Sequence, residues 1–213
     1  FNMAKQVPGK EEFYETIRYF LRRLELDGVD VRLGTYASAE DLAKGGYDSV
    51  VLATGVTPRG LGIPGDDHPK VLSYADVLAG GAEVGETGAV VGSGGIGFDV
   101  AEFLTHTHDD ASPSVNIDSF LQQWGVDGKN ATRGGLLEKP EWASQRKVQL
   151  LQRKHTKHGA SLGKTTGWIH RAGLNNMHVE MIGGVKYEKV DEDGNLHVEI
   201  TPRVKKKKGG KGG

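Results

Sequence analysis

Between Ala89 and Leu104 the chain reads AVVGSGGIGFDVAEFL: an apolar run, a cluster of glycines, then apolar residues at helical spacing. Gly92, Gly94 and Gly97 stand in G-x-G-x-x-G order between a predicted strand, Ala89 to Val91, and a predicted helix, Ile96 to Leu104. That context gives each glycine a separate task. Gly92 permits the tight turn, Gly94 lets the backbone approach a pyrophosphate, and Gly97 allows close helix–strand packing. The amides at the helix N-terminus then face the phosphates. Gly92, Ser93, Gly94, Gly95, Ile96 and Gly97 are the expected pyrophosphate cradle. A glycine turn with a purely structural role is the competing reading.

The choice of dinucleotide turns on the end of the second strand. In an NAD site a carboxylate about 20 residues further on holds the ribose hydroxyls. Here the second strand, Lys147 to Gln152, comes late and ends in Arg153 and Lys154, with Lys157 beyond. No carboxylate stands there to repel a 2′-phosphate, and a guanidinium fork suits one. Arg153, Lys154 and, with less support, Lys157 are therefore expected to hold the 2′-phosphate of NADPH. The alternative is a solvated basic strand end.

Around this unit the periodicities are mixed. Glu11 to Asp27 carries one apolar stripe and Gly28 stops it, as in a helix. Val29 to Leu33 reads as a short strand, and Ser49 to Ala53 (SVVLA) as a continuously apolar, doubly covered one. Residues 105–145 form a polar insertion that still holds Ile117, Phe120, Leu121 and Trp124 at helical spacing, so it is expected to pack. Leu162 to Asn176 reads as a helix and Val179 to Ile182 as a strand. Val185 to Val190 and Leu196 to Ile200 pair as a hairpin across Asp193-Gly194. Strand, helix, strand, helix, strand and an antiparallel ribbon predict an α/β nucleotide-binding architecture.

Composition narrows the chemistry. Of 27 Lys+Arg, five (Lys205, Lys206, Lys207, Lys208 and Lys211) crowd the last nine residues; the other 22 face 28 Asp+Glu, leaving −6. An acidic body argues against a nucleic-acid-binding domain. With no cysteine, the chain has no thiolate for a disulfide, a zinc site, an iron–sulfur cluster or a nucleophile. No apolar run approaches a membrane span, and a cytoplasmic protein is expected. The low-complexity tail 201–213 reads as a disordered end, with a basic arm for anionic partners as the alternative.

Other motifs are weaker. Gly163-Lys164-Thr165 resembles the end of a Walker A loop, but that pattern needs glycine where His158 stands. His106 and His108 with Asp109 and Asp110 lack a third spaced ligand group, and His155 and His158 need no metal, so no metal site is expected. Gly92-Ser93-Gly94 is not a G-x-S-x-G elbow, and no catalytic residue is assigned.

Ala53-Thr54-Gly55 after SVVL, then Pro58-Arg59 and Ile63-Pro64-Gly65, then the second glycine motif, resembles flavoproteins with two dinucleotide-binding domains. There the A-T-G strand belongs to the FAD domain and the glycine motif holds NAD(P)H. More specifically, FNMAKQVPGKEEFYETIRYF, IPGDDHPKVLSYADVL, VVGSGGIGFDVAEFL, NIDSFLQQWGVD and LLQRK…LGKTTGWIHR look like bacterial NADPH-dependent 2,4-dienoyl-CoA reductase, of the NADH:flavin oxidoreductase/trimethylamine-dehydrogenase-like group. The resemblance runs from Phe1 to about Ile200. It implies a relay in which NADPH gives hydride to FAD and electrons pass through a 4Fe–4S cluster to FMN. In that family an N-terminal barrel carries FMN, the substrate site and the catalytic acid, with the cluster cysteines just after it.

The expected organisation is thus α/β, with a Rossmann-like NADP-binding domain beside a partial FAD-binding domain. Residues 1–60 are the partial FAD domain, 61–85 a connector, 86–200 the NADP domain with its insertion 105–145, and 201–213 the tail. Ala53, Thr54 and Gly55 would line FAD in the intact enzyme. The chain is expected to be an internal fragment that cannot reduce a dienoyl-CoA without the barrel domain, its missing partner. The alternatives are a non-catalytic NADP-binding remnant and a P-loop nucleotide-binding protein.

Overall fold

The computed structural model describes residues 1–106 and 112–202. Helix α1 (Phe13–Leu26) ends where Gly28 and Val29 donate back to the Glu25 and Leu24 carbonyls. Two short helices follow, α2 (Ala39–Lys44) and α3 (Tyr74–Leu78). Each starts on a serine whose hydroxyl accepts from the amide three residues on: Ser38 from Asp41, Ser73 from Asp76. Such caps satisfy an amide that the helix itself leaves orphaned.

Strand β1 (Thr87–Val91) leads through the glycine turn into α4 (Gly95–Thr105). The insertion contributes α5 (Ile117–Trp124), and β2 (Lys147–Gln152) returns to the sheet. Helix α6 (Gly167–Asn176) and β3 (Glu180–Gly183) complete a three-stranded parallel sheet in the order β1-β2-β3. The register runs Val91 to Leu151 and Gln152 to Gly183. Strands β4 (Val185–Val190) and β5 (Leu196–Ile200) form a separate antiparallel ribbon.

The core lies where α4 crosses the sheet. Phe98, Ala101 and Leu104 repeat on one face of α4 and meet Val148 and Leu150 of β2, with Leu174 of α6 also fully enclosed. Val7 reaches this core from the N-terminal segment and is 2% exposed. Lys10 fastens the same segment to Asp99 of α4 at 2.7 Å. Trp142 closes the core's other end, edge-on to Trp124 at 5.3 Å, and its indole N–H donates to the Gln123 carbonyl. The insertion therefore packs through Trp124 and Trp142, whereas Ile117 and Phe120, expected to join them, are exposed.

Three expected elements differ. Val29 to Leu33 and Ser49 to Ala53 form no strands; Val51 is 87% and Leu52 80% exposed. A strand exists only as part of a ladder, and among the described residues no neighbouring strand offers these segments one. The helix expected from Leu162 begins instead at Gly167. The preceding residues form a turn in which Gly167 donates to the Gly163 carbonyl at 2.8 Å and Leu162 folds against the core.

The connector has a definite seat. Val190 of β4 donates to the Pro64 carbonyl at 2.9 Å, and Lys70 Nζ donates to the Asp193 carbonyl in the hairpin turn. Ile63-Pro64-Gly65 thus packs on the ribbon.

Candidate nucleotide site

At the C-terminal end of the parallel strands the chain turns at Gly92, whose φ of 109° is one that L side chains rarely adopt. Its amide stays in the sheet, donating to the Leu151 carbonyl at 2.9 Å. Helix α4 then begins with Gly94 as N-cap, and no side chain caps it. The first-turn amides of α4 are left for a ligand, with no acidic residue in that turn to repel an anion. A Cβ built on Gly94 or Gly95 meets nothing within 4 Å, so the space in front of the turn is open. A Cβ on Gly97 falls 1.8 Å from the Gly92 carbonyl oxygen. Gly97 is required by the approach of helix to turn, and Gly94 is not required by any protein contact.

The loop after β2 folds back on this turn. Gly159 N–H donates to the Ser93 carbonyl at 3.1 Å, and the Ser93 hydroxyl donates to Gln152 Oε1. Gln152 Nε2 donates to the Thr156 carbonyl at 2.5 Å. Arg171 of α6 reaches the Gly159 carbonyl from below at 3.3 Å. The loop carries Arg153, Lys154 and Lys157, all exposed, and among the described residues no carboxylate pairs with any of them. His155, Lys157, His158 and Arg171 line an open cleft of about 660 Å³ beside it. The six cradle residues and the three basic residues therefore lie on two segments joined by hydrogen bonds.

Ala53, Thr54 and Gly55 stand apart from them, in the exposed run that forms no ladder. They make no hydrogen bond to the glycine turn and build no cradle of their own. His108, Asp109 and Asp110, like 203–213 of the tail, lie outside the described residues. Among the described residues no three His, Asp or Glu side chains gather as metal ligands, and no helix is long and apolar enough to cross a membrane.

Sequence reasoning did not find Gln152, Gly159 or Arg171, because their roles depend on the loop's return path. It also passed over Glu102 on α4. Burial pushes the Glu102 carboxyl up to about 7, with Asp99 adding to the rise and Lys10 opposing it. His106 Nε2 lies 3.7 Å from its Oε1.

A parallel sheet, a glycine turn at its C-terminal edge and a free helix N-terminus define a Rossmann-like dinucleotide-binding unit. Residues 14–211 match the family model described as pyridine nucleotide-disulphide oxidoreductase, and the chain belongs to that family, whose members bind NAD(P)H and FAD. It is α/β, of the type with two dinucleotide-binding domains. Similar proteins include the metal reductase of Desulforamulus reducens, 30% identical over 49% of this chain and 16% of that protein. The cinnamate reductase of Clostridium sporogenes is 37% identical over 46% of this chain and 15% of that one. The NADH oxidase of Thermoanaerobacter brockii is 32% identical over 64% and 21% respectively. A solved 2-naphthoyl-CoA reductase complex shares the fold, with a TM-score of 0.68 at 18% identity over 93% of this chain and 24% of its own. The chain spans well under a third of the length of each of these relatives.

Proposed function

We propose that this chain binds NADPH for a flavin-dependent reductase of the 2,4-dienoyl-CoA reductase type. One observation carries the cofactor choice: among the described residues no carboxylate pairs with Arg153, Lys154 or Lys157, which stand on a loop hydrogen-bonded to the glycine turn. A 2′-phosphate reaching this loop would meet cations and no competing carboxylate. NADPH, when bound, supplies hydride for the flavin. The chain's own residues bind and orient: the amides of Gly94, Gly95 and Ile96 face the pyrophosphate, and the basic loop selects the phosphorylated ribose.

Residues 86–200 form the NADP-binding domain in this reading, and 1–60 belong to the FAD-binding part. Ala53, Thr54 and Gly55 do not by themselves fit a flavin here, so no step is assigned to them. The acceptor chemistry belongs to the larger protein, and an acyl-thioester substrate rests on the resemblance of the five segments quoted above. A relative named as a cinnamate reductase supports a reductive role. A cytoplasmic setting and a barrel domain as partner belong to the same proposal.

Calorimetric titration with NADPH and NADH tests the cofactor choice. NADPH is expected to bind more tightly, and Arg153→Ala to weaken NADPH by about 1.5–3 kcal/mol, the worth of a charged hydrogen bond. Equal dissociation constants for the two nucleotides would sink the assignment.

A further inference from the structure

Gln152 is the last residue of β2, and its side chain spans the gap between the glycine turn and the basic loop. The Thr156 carbonyl can only accept, so the amide nitrogen must face it, which leaves Oε1 for the Ser93 hydroxyl. A second tie, from Gly159 N–H to the Ser93 carbonyl, closes the loop's far end on the same residue. The segment 153–158 is thus pinned at both ends to Ser93, once through backbone and once through Gln152. It carries three like charges within five positions, which repel one another and favour a spread loop. From these contacts we propose that Gln152 is the positioning residue that sets the preference for a 2′-phosphate, by holding Arg153, Lys154 and Lys157 at a fixed place relative to the pyrophosphate cradle. The proposal rests on the NADPH reading above.

The chemistry of the side chain fits the task. Glutamate at 152 could accept from Ser93 but not donate to Thr156, and it would set a negative charge beside the phosphate site. Glutamine supplies both a donor and an acceptor with no charge. A loop ordered before the ligand arrives spares the ligand that cost on binding. NADPH gains from the arrangement and NADH, which has nothing to offer the basic loop, does not.

Two variants of the full chain test this. Gln152→Met keeps the shape and removes both hydrogen bonds, and Ser93→Ala breaks the bridge at its other end. Dissociation constants for NADPH and NADH are measured on each. Because both nucleotides share the pyrophosphate, any damage to the cradle cancels in their ratio. The preference for NADPH, read as the ratio of the two dissociation constants, is expected to fall at least fivefold in both variants, with NADH affinity changed less than twofold in Gln152→Met. Amide hydrogen exchange over 153–158 in the ligand-free protein should quicken in both. Unchanged preference with quickened exchange would mean that the bridge orders the loop without setting specificity, which overturns the proposal. If Gln152→Met does not fold, Ser93→Ala alone decides. A parent chain with no preference for NADPH would remove the NADPH reading and this proposal together. A parent that prefers NADPH while both variants keep that preference removes this proposal alone.

Discussion

Substituting alanine at Gly94 and at Gly97 separates ligand space from protein space within one turn. At Gly97 the new methyl carbon would lie 1.8 Å from the Gly92 carbonyl oxygen and 2.9 Å from its carbon. Real Cβ atoms essentially never sit closer than 3.0 Å, so turn and helix must part by about 1.2 Å (3.0 − 1.8) against backbone that cannot swing aside. Overpacking of this kind costs roughly 1–3 kcal/mol, and the better helix propensity of alanine returns up to about 1 kcal/mol. A net loss of about 1–2 kcal/mol lowers the Tm of a chain this size by roughly 2–8 °C. Gly94 has φ −83° and open space around its Cβ position, so alanine fits the fold. Its cost is at most about 1 kcal/mol, for a poorer N-cap. The methyl group does occupy the place where phosphate oxygens approach the amides. Losing one charge-assisted hydrogen bond there is worth about 1.5–3 kcal/mol, or roughly 10- to 150-fold in NADPH affinity. Thermal melts and NADPH titrations on both variants read the two effects independently. A Gly94→Ala protein that binds NADPH like the parent would refute the phosphate cradle, since nothing else in the structure needs that glycine.

Stability should fall as pH rises from about 4.5 to about 7, because folded Glu102 keeps its proton to about 7 while the unfolded carboxyl releases it near 4.5. The unfolded state loses its proton first, and a gap of about 2.5 units corresponds to roughly 3 kcal/mol of stability present at low pH and gone above pH 7. Glu102→Gln should flatten that slope and leave the protein more stable than the parent at pH 8, by chemical denaturation at each pH. Trp142→Ala should cost roughly 3–5 kcal/mol, as large-to-small changes in a core do. It also releases Trp124, so near-ultraviolet circular dichroism should lose intensity even where the sheet survives. Gly159→Ala should loosen the basic loop, since its Cβ would fall 2.9 Å from the Phe98 ring at a φ of 64°. NADPH affinity should drop more than NADH affinity, measured by the same titrations.

Where the sequence carried its own partner, its elements could be read from it. The strand Lys147–Gln152 and both ribbon strands match the expected spans, because alternating or continuous apolar residues there meet ladders inside the chain. Helices α1 and α4 fall within two residues of their expected ends. SVVLA at residues 49–53 has the same strand-forming composition and makes no strand, since β propensity expresses fit to a neighbouring strand and among the described residues this segment has none. The helices α2 and α3 were legible but unread. Ser38-x-x-Asp41 and Ser73-x-x-Asp76 are capping signatures, and both caps form.

The candidate site divides along the same line. Features fixed by local geometry were visible: the turn at Gly92, the contact of Gly97 with the Gly92 carbonyl, and the place of Arg153 and Lys154 at the end of a strand. The roles of Gln152, Gly159 and Arg171 were not, because each depends on a loop leaving β2 and returning to the turn before α4. Such a return is a tertiary fact with no periodic signature. Yet it decides what the basic residues can do. Three cations on a free loop would be a solvated patch for any passing anion, whereas here the loop that carries them is tied to Ser93 at both ends and so is held beside the glycine turn. On the NADPH reading proposed above, only the second arrangement holds the loop where one ligand can meet it and the glycine turn together, which is how a 2′-phosphorylated dinucleotide would be told from an unphosphorylated one.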